Sequence, residues 1–292
     1  MLFWGRPDVP KDHKRAFQLA AAGAGMGCAH SKGVLGCCYV YGRGVAEDRA
    51  KGLELGRESA AAGSLMGQFV VGKCFWKGWS VAKDYAQAAQ FYSRAAAQGL
   101  AVAAHNLGIM FEKGRGVAQD YAEAVRLYRF AAAQQHAKAQ FKLGDMFYSG
   151  EGVAQDYVEA ARLYHLAAEQ GLARAQSHLG QMFYSGLGVA QDYAEAARFA
   201  RLAAEQGHAG AQCRAGLMSL RGQGVAQDCV EAVRLWRLAV EQGHAKAQYN
   251  LGYMFQHGRG VVQDTAEAIR LYRLAAAQEN AQATAALRRM GS

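Results

Sequence analysis

A nine-residue phrase, Gly-Val-Ala-Gln-Asp-Tyr-Ala-Glu-Ala, begins at Gly116 and returns with variations at Gly44, Ser80, Gly152, Gly188, Gly224 and Gly260. The interval is 36 residues each time, without an insertion or deletion. Its aspartate falls at Asp48, Asp84, Asp120, Asp156, Asp192, Asp228 and Asp264, with Asp12 one period earlier. A strict period of this length requires a stack of like supersecondary units, each resting mainly on its neighbours. It also moves the functional question from catalysis towards binding.

Residues 137–172 show one period in full. Ala139, Gln140, Leu143, Gly144, Met146 and Phe147 recur at helical spacing. This first helix is predicted to stop at Ser149-Gly150-Glu151-Gly152, because a terminal glycine takes the left-handed C-cap conformation at little steric cost. A second helix opens at Asp156, whose carboxylate can accept from the free N–H groups of the first turn. Glu159, three residues on, completes a capping-box pair in this reading. Ala160, Leu163, Tyr164, Ala167 and Ala168 form the apolar face, and Gln170-Gly171 ends the unit. The fold class is therefore all-α, a solenoid of 36-residue helical hairpins. Glycine also recurs inside the first helix, at Gly36, Gly72, Gly108, Gly144, Gly180, Gly216 and Gly252. At such a site it costs about 1 kcal/mol against alanine. Its recurrence predicts close backbone approach between the paired helices.

Composition narrows the functional classes. The residues are 51% hydrophobic, many of them alanine, which is ample for a continuous core. The two prolines, Pro7 and Pro10, precede the first helix, so glycine does the punctuation. Residues 1–14 contain no apolar core of a secretory signal, and no run of about 18 apolar residues suggests a membrane span. The net charge of +9 favours acidic partners. Cys28, Cys37, Cys38, Cys74, Cys213 and Cys229 have no repeating spacing; Cys38 and Cys74 stand where other copies have methionine. They read as small hydrophobes in a reduced, cytoplasmic setting.

The run Ala-Lys-Ala-Gln-Tyr-Asn-Leu-Gly-Tyr-Met-Phe at residues 245–255, followed by Gly258-Arg259-Gly260-Val261 and Asp264, resembles the Sel1-like repeat, a slightly longer relative of the tetratricopeptide repeat. The resemblance covers residues 9–290. Family members often carry proline after the valine; this chain has it only at Pro10. The resemblance implies a right-handed superhelix of antiparallel α/α units acting as an adaptor or scaffold for protein complexes. Its repeats would be 29–64, 65–100, 101–136, 137–172, 173–208, 209–244 and 245–280. Residues 1–28 would form an N-terminal segment with a lone second helix, and 281–292 a capping helix in which Arg288 replaces the packing glycine. The small apolar stretch 20–27 is expected to pack against Leu2, Phe3 and Trp4.

Catalytic signatures are scarce. Ser80-Val81-Ala82-Lys83 matches the S-x-x-K of serine β-lactamases, yet it overlies the inter-helix loop and has no Ser-Asp-Asn or Lys-Thr-Gly companion. No H-E-x-x-H, Walker-type loop or dinucleotide fingerprint occurs. The Gly-Arg-Gly triplets at Gly42, Gly114 and Gly258 read as helix caps. His136, His208 and His244 recur at the turn between repeats, as solvated polar residues and not as a metal site. The chain reads as non-enzymatic, without cofactor or metal.

By analogy with tetratricopeptide repeats, certain first-helix columns line a concave groove. One reads Gly33, Phe69, His105, Phe141, Ser177, Cys213 and Tyr249; another Cys37, Lys73, Ile109, Asp145, Gln181, Leu217 and Tyr253; a third Val40, Trp76, Glu112, Tyr148, Tyr184, Leu220 and Gln256. Lys77, Lys113 and Lys138 flank them. These columns vary between copies while the packing columns hold, which suggests release from the framework. Aromatic and cationic side chains are what protein-binding hot spots favour, so the expected partner is a protein or an acidic peptide. The rival is RNA on a basic second-helix stripe of Arg126, Arg129, Arg162, Arg198, Arg201, Arg234, Arg237, Arg270 and Arg273. Glu123, Glu159, Glu195, Glu231 and Glu267 lie three residues before the first arginine of each set and partly neutralise the stripe, which disfavours nucleic acid.

Overall fold

The computed structural model describes residues 12–291, which hold sixteen α-helices and no strand. The chain divides into two compact units, Met1–Gln155 and Asp156–Ser292. The first unit holds α1 (His13–Gly25), α2 (Ala29–Tyr41), α3 (Arg49–Ala61), α4 (Leu65–Lys77), α5 (Tyr85–Ala97), α6 (Ala101–Lys113), α7 (Tyr121–Ala133) and α8 (Ala137–Ser149). The second holds α9 (Tyr157–Glu169), α10 (Ala173–Ser185), α11 (Tyr193–Glu205), α12 (Ala209–Arg221), α13 (Cys229–Glu241), α14 (Ala245–His257), α15 (Thr265–Ala276) and α16 (Ala281–Arg289). Even-numbered helices are the first helices of the repeats. Within each unit consecutive helices pack on one another, as a repeat solenoid requires. The expected contact of residues 20–27 with Leu2, Phe3 and Trp4 lies outside the described residues.

Helix ends follow from the repeat phrase. α12 stops at Gly222 in the left-handed conformation, φ 65°, and its N–H returns to the Met218 carbonyl. α11 starts at Asp192, whose Oδ1 accepts from the N–H groups of Ala194 and Glu195 at 2.8 and 3.0 Å. The capping box is only half present. The Asp192 N–H is bonded at 3.0 Å to the Phe183 carbonyl of the preceding helix, so the glutamate has no donor to reach back to. Glu195 turns outward and takes Arg198 in a bidentate pair, Nε at 2.9 Å and Nη2 at 2.7 Å. Glu159 does the same with Arg162.

The loop glutamine is a latch that the periodicity had not revealed. Gln191 Nε2 donates to the Tyr184 carbonyl at 2.8 Å, and Gln119, Gln155, Gln227 and Gln263 repeat the bond on Glu112, Tyr148, Leu220 and Gln256. The second loop glycine explains the fixed period. Gly224 has φ 71°, and a Cβ there would overlap the Tyr193 carbonyl one repeat earlier. Gly116 meets Tyr85, and Gly188 meets Tyr157, in the same way. Ser80 occupies this position with φ 55°, a strained loop residue where the other copies have glycine.

The mid-helix glycines admit two kinds of neighbour. A Cβ on Gly180 would lie 3.2 Å from the Ala196 carbonyl oxygen, the close backbone approach expected. At Gly108 and Gly216 the space is filled instead by a ring: Tyr128, or Trp236 with Nε1 at 2.7 Å. A second ladder joins repeats. Gln206 Nε2 donates to Gln176 Oε1 at 2.8 Å, while Gln176 Nε2 reaches the Ala168 carbonyl at 3.2 Å, and Gln242 with Gln212 repeats the clamp at 3.0 Å.

The turn histidines are caps, not solvated bystanders. Nδ1 of His136, His208 and His244 accepts from the N–H of Ala139, Ala211 and Ala247 at 3.2, 3.2 and 3.3 Å. Burial, then nearby Lys138, lowers the His136 pKa to about 4. Burial likewise lowers His105 to about 3 and His178 to about 4.

Two stability predictions follow from the packing. Gly216→Leu should cost about 1–3 kcal/mol by driving into Trp236, whereas Ser80→Gly should add about 1 kcal/mol by relieving the positive φ. Chemical denaturation of both variants measures these; opposite signs would refute the packing account. The histidines generate a third. Their folded pKa lies below the ordinary 6.5, so the unfolded chain takes up protons first as pH falls. The stability they supply is complete above about pH 6.5 and is lost towards about pH 4. The thermal midpoint should fall across that window, and His136→Asn should shrink the fall. Asparagine keeps the cap, as Asn280 does on Ala283 at 2.9 Å. An identical pH profile in that variant would count against His136 as a source of the pH dependence.

Candidate functional site

The structure divides the proposed groove columns. Phe69 and Phe141 are 1% and 8% exposed and His105 is 7% exposed, so none of them lines an open trough. Tyr249 is half-buried. The reason is packing against the second helix of the same repeat. Phe69 lies 6.0 Å from Tyr92, His105 5.8 Å from Tyr128 and Tyr249 5.7 Å from Tyr272, between ring centroids. Where the partner grows to Trp236, the residue shrinks to Cys213, whose carbonyl accepts the indole N–H at 3.0 Å. Ser177 stands opposite small Ala200 in the repeat register. The variation in this column is thus volume matching inside the framework, and it reads as a core column.

Glu112 is also internal, at 5% exposure. It receives the Tyr128 hydroxyl at 2.7 Å, Lys142 Nζ at 3.0 Å and Lys113 Nζ at 2.8 Å. Burial alone would raise its pKa, but these donors prevail and hold it below the usual carboxylate range. Trp76 is half-buried and edge-on to Tyr85 at 5.1 Å, with Arg115 5.8 Å over its ring. Tyr184 is half-buried against Tyr193 at 5.4 Å.

The remaining candidates are open. In the first unit Lys77, Lys113, Lys138 and Tyr148 are exposed, while Lys73, Ile109 and Asp145 are half-buried. Burial and then the like charges of Lys77 and Lys138 lower the Lys73 pKa. In the second unit Tyr253 is exposed and Gln181 is half-buried.

Electrostatics separates the two helix sets. The eight first helices carry twelve lysines and arginines but only two carboxylates, Glu112 and Asp145. On the second helices Arg126, Arg162, Arg198, Arg234 and Arg270 are each paired with a glutamate at 2.6–2.7 Å. Arg129 and Arg237 lie over the rings of Phe147 and Phe255. The stripe that suggested RNA therefore has much of its charge cancelled. Between α5 and α7 an open cleft of about 790 Å³ runs over alanines, Phe111 and Phe130, with Arg94 and Arg126 at its edge.

Among the described residues no group of three or more His, Cys, Asp or Glu side chains could hold a metal ion. No described helix is long and apolar enough to cross a membrane. Burial raises the Cys38 and Cys74 thiols to about 11, as suits inert core residues. Sequence reasoning missed Lys142, Arg174, Arg214, Arg221 and Lys246. A tally of charge by helix set, in place of charge over the whole chain, would have found them.

The Sel1 repeat family matches residues 1–28, 34–64, 65–100, 101–136, 137–172, 173–208, 209–244 and 245–280. Among solved structures, a protective antigen present in uropathogenic Escherichia coli strains, displaying an SLR fold, is 34% identical with a TM-score of 0.81 over 91% of this chain. The match spans 57% of that protein's own chain. A Sel1 repeat protein from Oxalobacter formigenes is 28% identical, with a TM-score of 0.74 over 84% of this chain and 96% of its own. A comparison with curated proteins found no match. Sel1 repeat proteins are in general protein-interaction scaffolds and typically non-catalytic. The chain belongs to the Sel1 repeat family and folds as an all-α repeat solenoid.

Proposed function

We propose that this chain is a non-catalytic adaptor, working in a reduced cytoplasmic setting, that binds an acidic segment of a protein partner along its exposed first-helix face. The observation carrying this reading is the charge imbalance of that face, twelve cations against two carboxylates. Lys113 and Lys142 are taken up by Glu112 and Lys32 by Glu58, which leaves nine of the twelve cations outside these pairs. Exposed aromatics interleave with the cations, Tyr148 at 39% and Tyr253 at 37% exposure. Such rings supply large contact area at low conformational cost, which is why they recur at binding hot spots. A complementary acidic partner would be steered to this face and would lose affinity as salt screens the charges.

The test is affinity capture with mass spectrometry, comparing the native chain with a first-helix variant that spreads over both units, Lys77→Glu, Lys138→Glu, Arg221→Glu and Lys246→Glu together, and with Arg129→Glu plus Arg237→Glu. One acidic protein should be recovered by the native chain and by the second-helix variant, and lost by the first-helix variant. Recovery of RNA, abolished only by the second-helix changes, would sink the reading.

A further inference from the structure

In the second unit two arginines of α12 lie across α10. Arg214 Nη1 donates to the Ser177 carbonyl at 2.8 Å, and Arg221 Nη1 donates to the Tyr184 hydroxyl at 3.1 Å. Seven residues of helix separate them, which sets their origins about 10 Å apart along α12. Tyr184 is itself held, its hydroxyl donating to Gln223 Oε1 at 3.1 Å and its ring edge-on to Tyr193. Between the two arginine rows, Gln181, Leu217 and Tyr253 share one repeat register on α10, α12 and α14 and form a floor of half-buried and exposed side chains.

Arg214 is partly buried, and burial lowers its pKa. Among the described residues no carboxylate pairs with it, and α10, α12 and α14 contain no aspartate or glutamate at all. Arg174 and Lys246 add further positive charge on the same helices. A half-buried guanidinium satisfied by one carbonyl has most of its five donors left for an incoming group. Retaining such a cation without its counter-charge is costly, and a carboxylate from outside relieves that cost.

We propose that this trough is the seat of the partner's acidic segment. The segment lies extended across α10, α12 and α14, with one carboxylate taken by Arg214 on one side and a second taken by Arg221 on the other. Side chains of an extended backbone alternate in direction, which places carboxylates on both flanks while the backbone passes over Leu217 and Tyr253. The planar fork of arginine matches a carboxylate in two parallel bonds, where an ammonium offers a point charge. This inference rests on the adaptor reading above and adds the address and chemistry of the contact.

Fluorescence anisotropy of the full chain with a fluorescein-labelled peptide, Gly-Glu-Glu-Leu-Glu-Glu-Leu-Gly, tests it. The native chain should bind, and the glutamine version of the peptide should bind about tenfold or more weakly. Arg214→Gln plus Arg221→Gln should weaken the glutamate peptide about tenfold or more, and Arg214→Lys should fall between. Lys73→Gln plus Lys138→Gln, in the first unit, should change binding less than about twofold. Circular dichroism of each variant checks folding. If the double variant is unstable, exposed Arg221→Ala alone carries the comparison. Unchanged binding in the arginine variants, or equal binding of the glutamine peptide, would overturn the inference. Loss confined to the lysine variant would leave the adaptor standing and move its contact to the first unit. Binding of a phosphoserine version without binding of the glutamate peptide would overturn the carboxylate assignment. No binding to the native chain would overturn this seat, while partner capture still judges the adaptor reading.

Discussion

Within each unit the structure depends on a contact whose glycines have no room for a Cβ, Ser80 being the copy that carries a side chain there, at a strained φ of 55°. The second loop glycine of a repeat, with φ near +70°, lies on the backbone where the previous repeat's second helix begins. Gly224 on Tyr193 and Gly116 on Tyr85 leave no space for a Cβ. An extra or missing residue between consecutive contacts would shift the glycine off its partner. The invariance of the 36-residue interval follows from that geometry. The loop glutamine bonds and the glutamine clamps between repeats then reinforce a register that the glycine has already set.

A fixed register is what makes a binding face available. Within a unit each first helix presents the same columns at the same height, so the framework needs only some of them. The column of Phe69, Cys213 and Tyr249 is spent on matching Tyr92, Trp236 and Tyr272. Lys138, Gln181, Arg214 and Tyr253 themselves remain at least partly open. The segregation of charge adds a second layer, because second-helix arginines are tied to glutamates one turn away while first-helix cations have almost no carboxylates near them in sequence.

Much of the fold was legible in the residues. Asp156 and Gly150 mark their helix ends because capping is local chemistry that a short phrase contains. The failures came where the answer depends on a neighbour distant in sequence. Glu159 reads as half a capping box until one sees, in the copy at Asp192, that the aspartate N–H is taken by the preceding helix. Phe69 and Phe141 read as variable and therefore free, because covariation of volume with a position on the second helix is invisible when columns are compared one at a time. His136 reads as solvated because imidazole capping depends on which nitrogen faces the helix. Arg214 was passed over since its importance lies in the carboxylate its surroundings lack.

The loop glycine is therefore the place to test the account. Equilibrium denaturation of Gly224→Ala, followed by circular dichroism, measures whether a single methyl at that contact is tolerated. The positive φ and the overlap with the Tyr193 carbonyl together predict a loss of about 2 kcal/mol or more. Stability within about 0.5 kcal/mol of the native chain, the range usual for harmless surface changes, would contradict the claim that this contact sets the repeat.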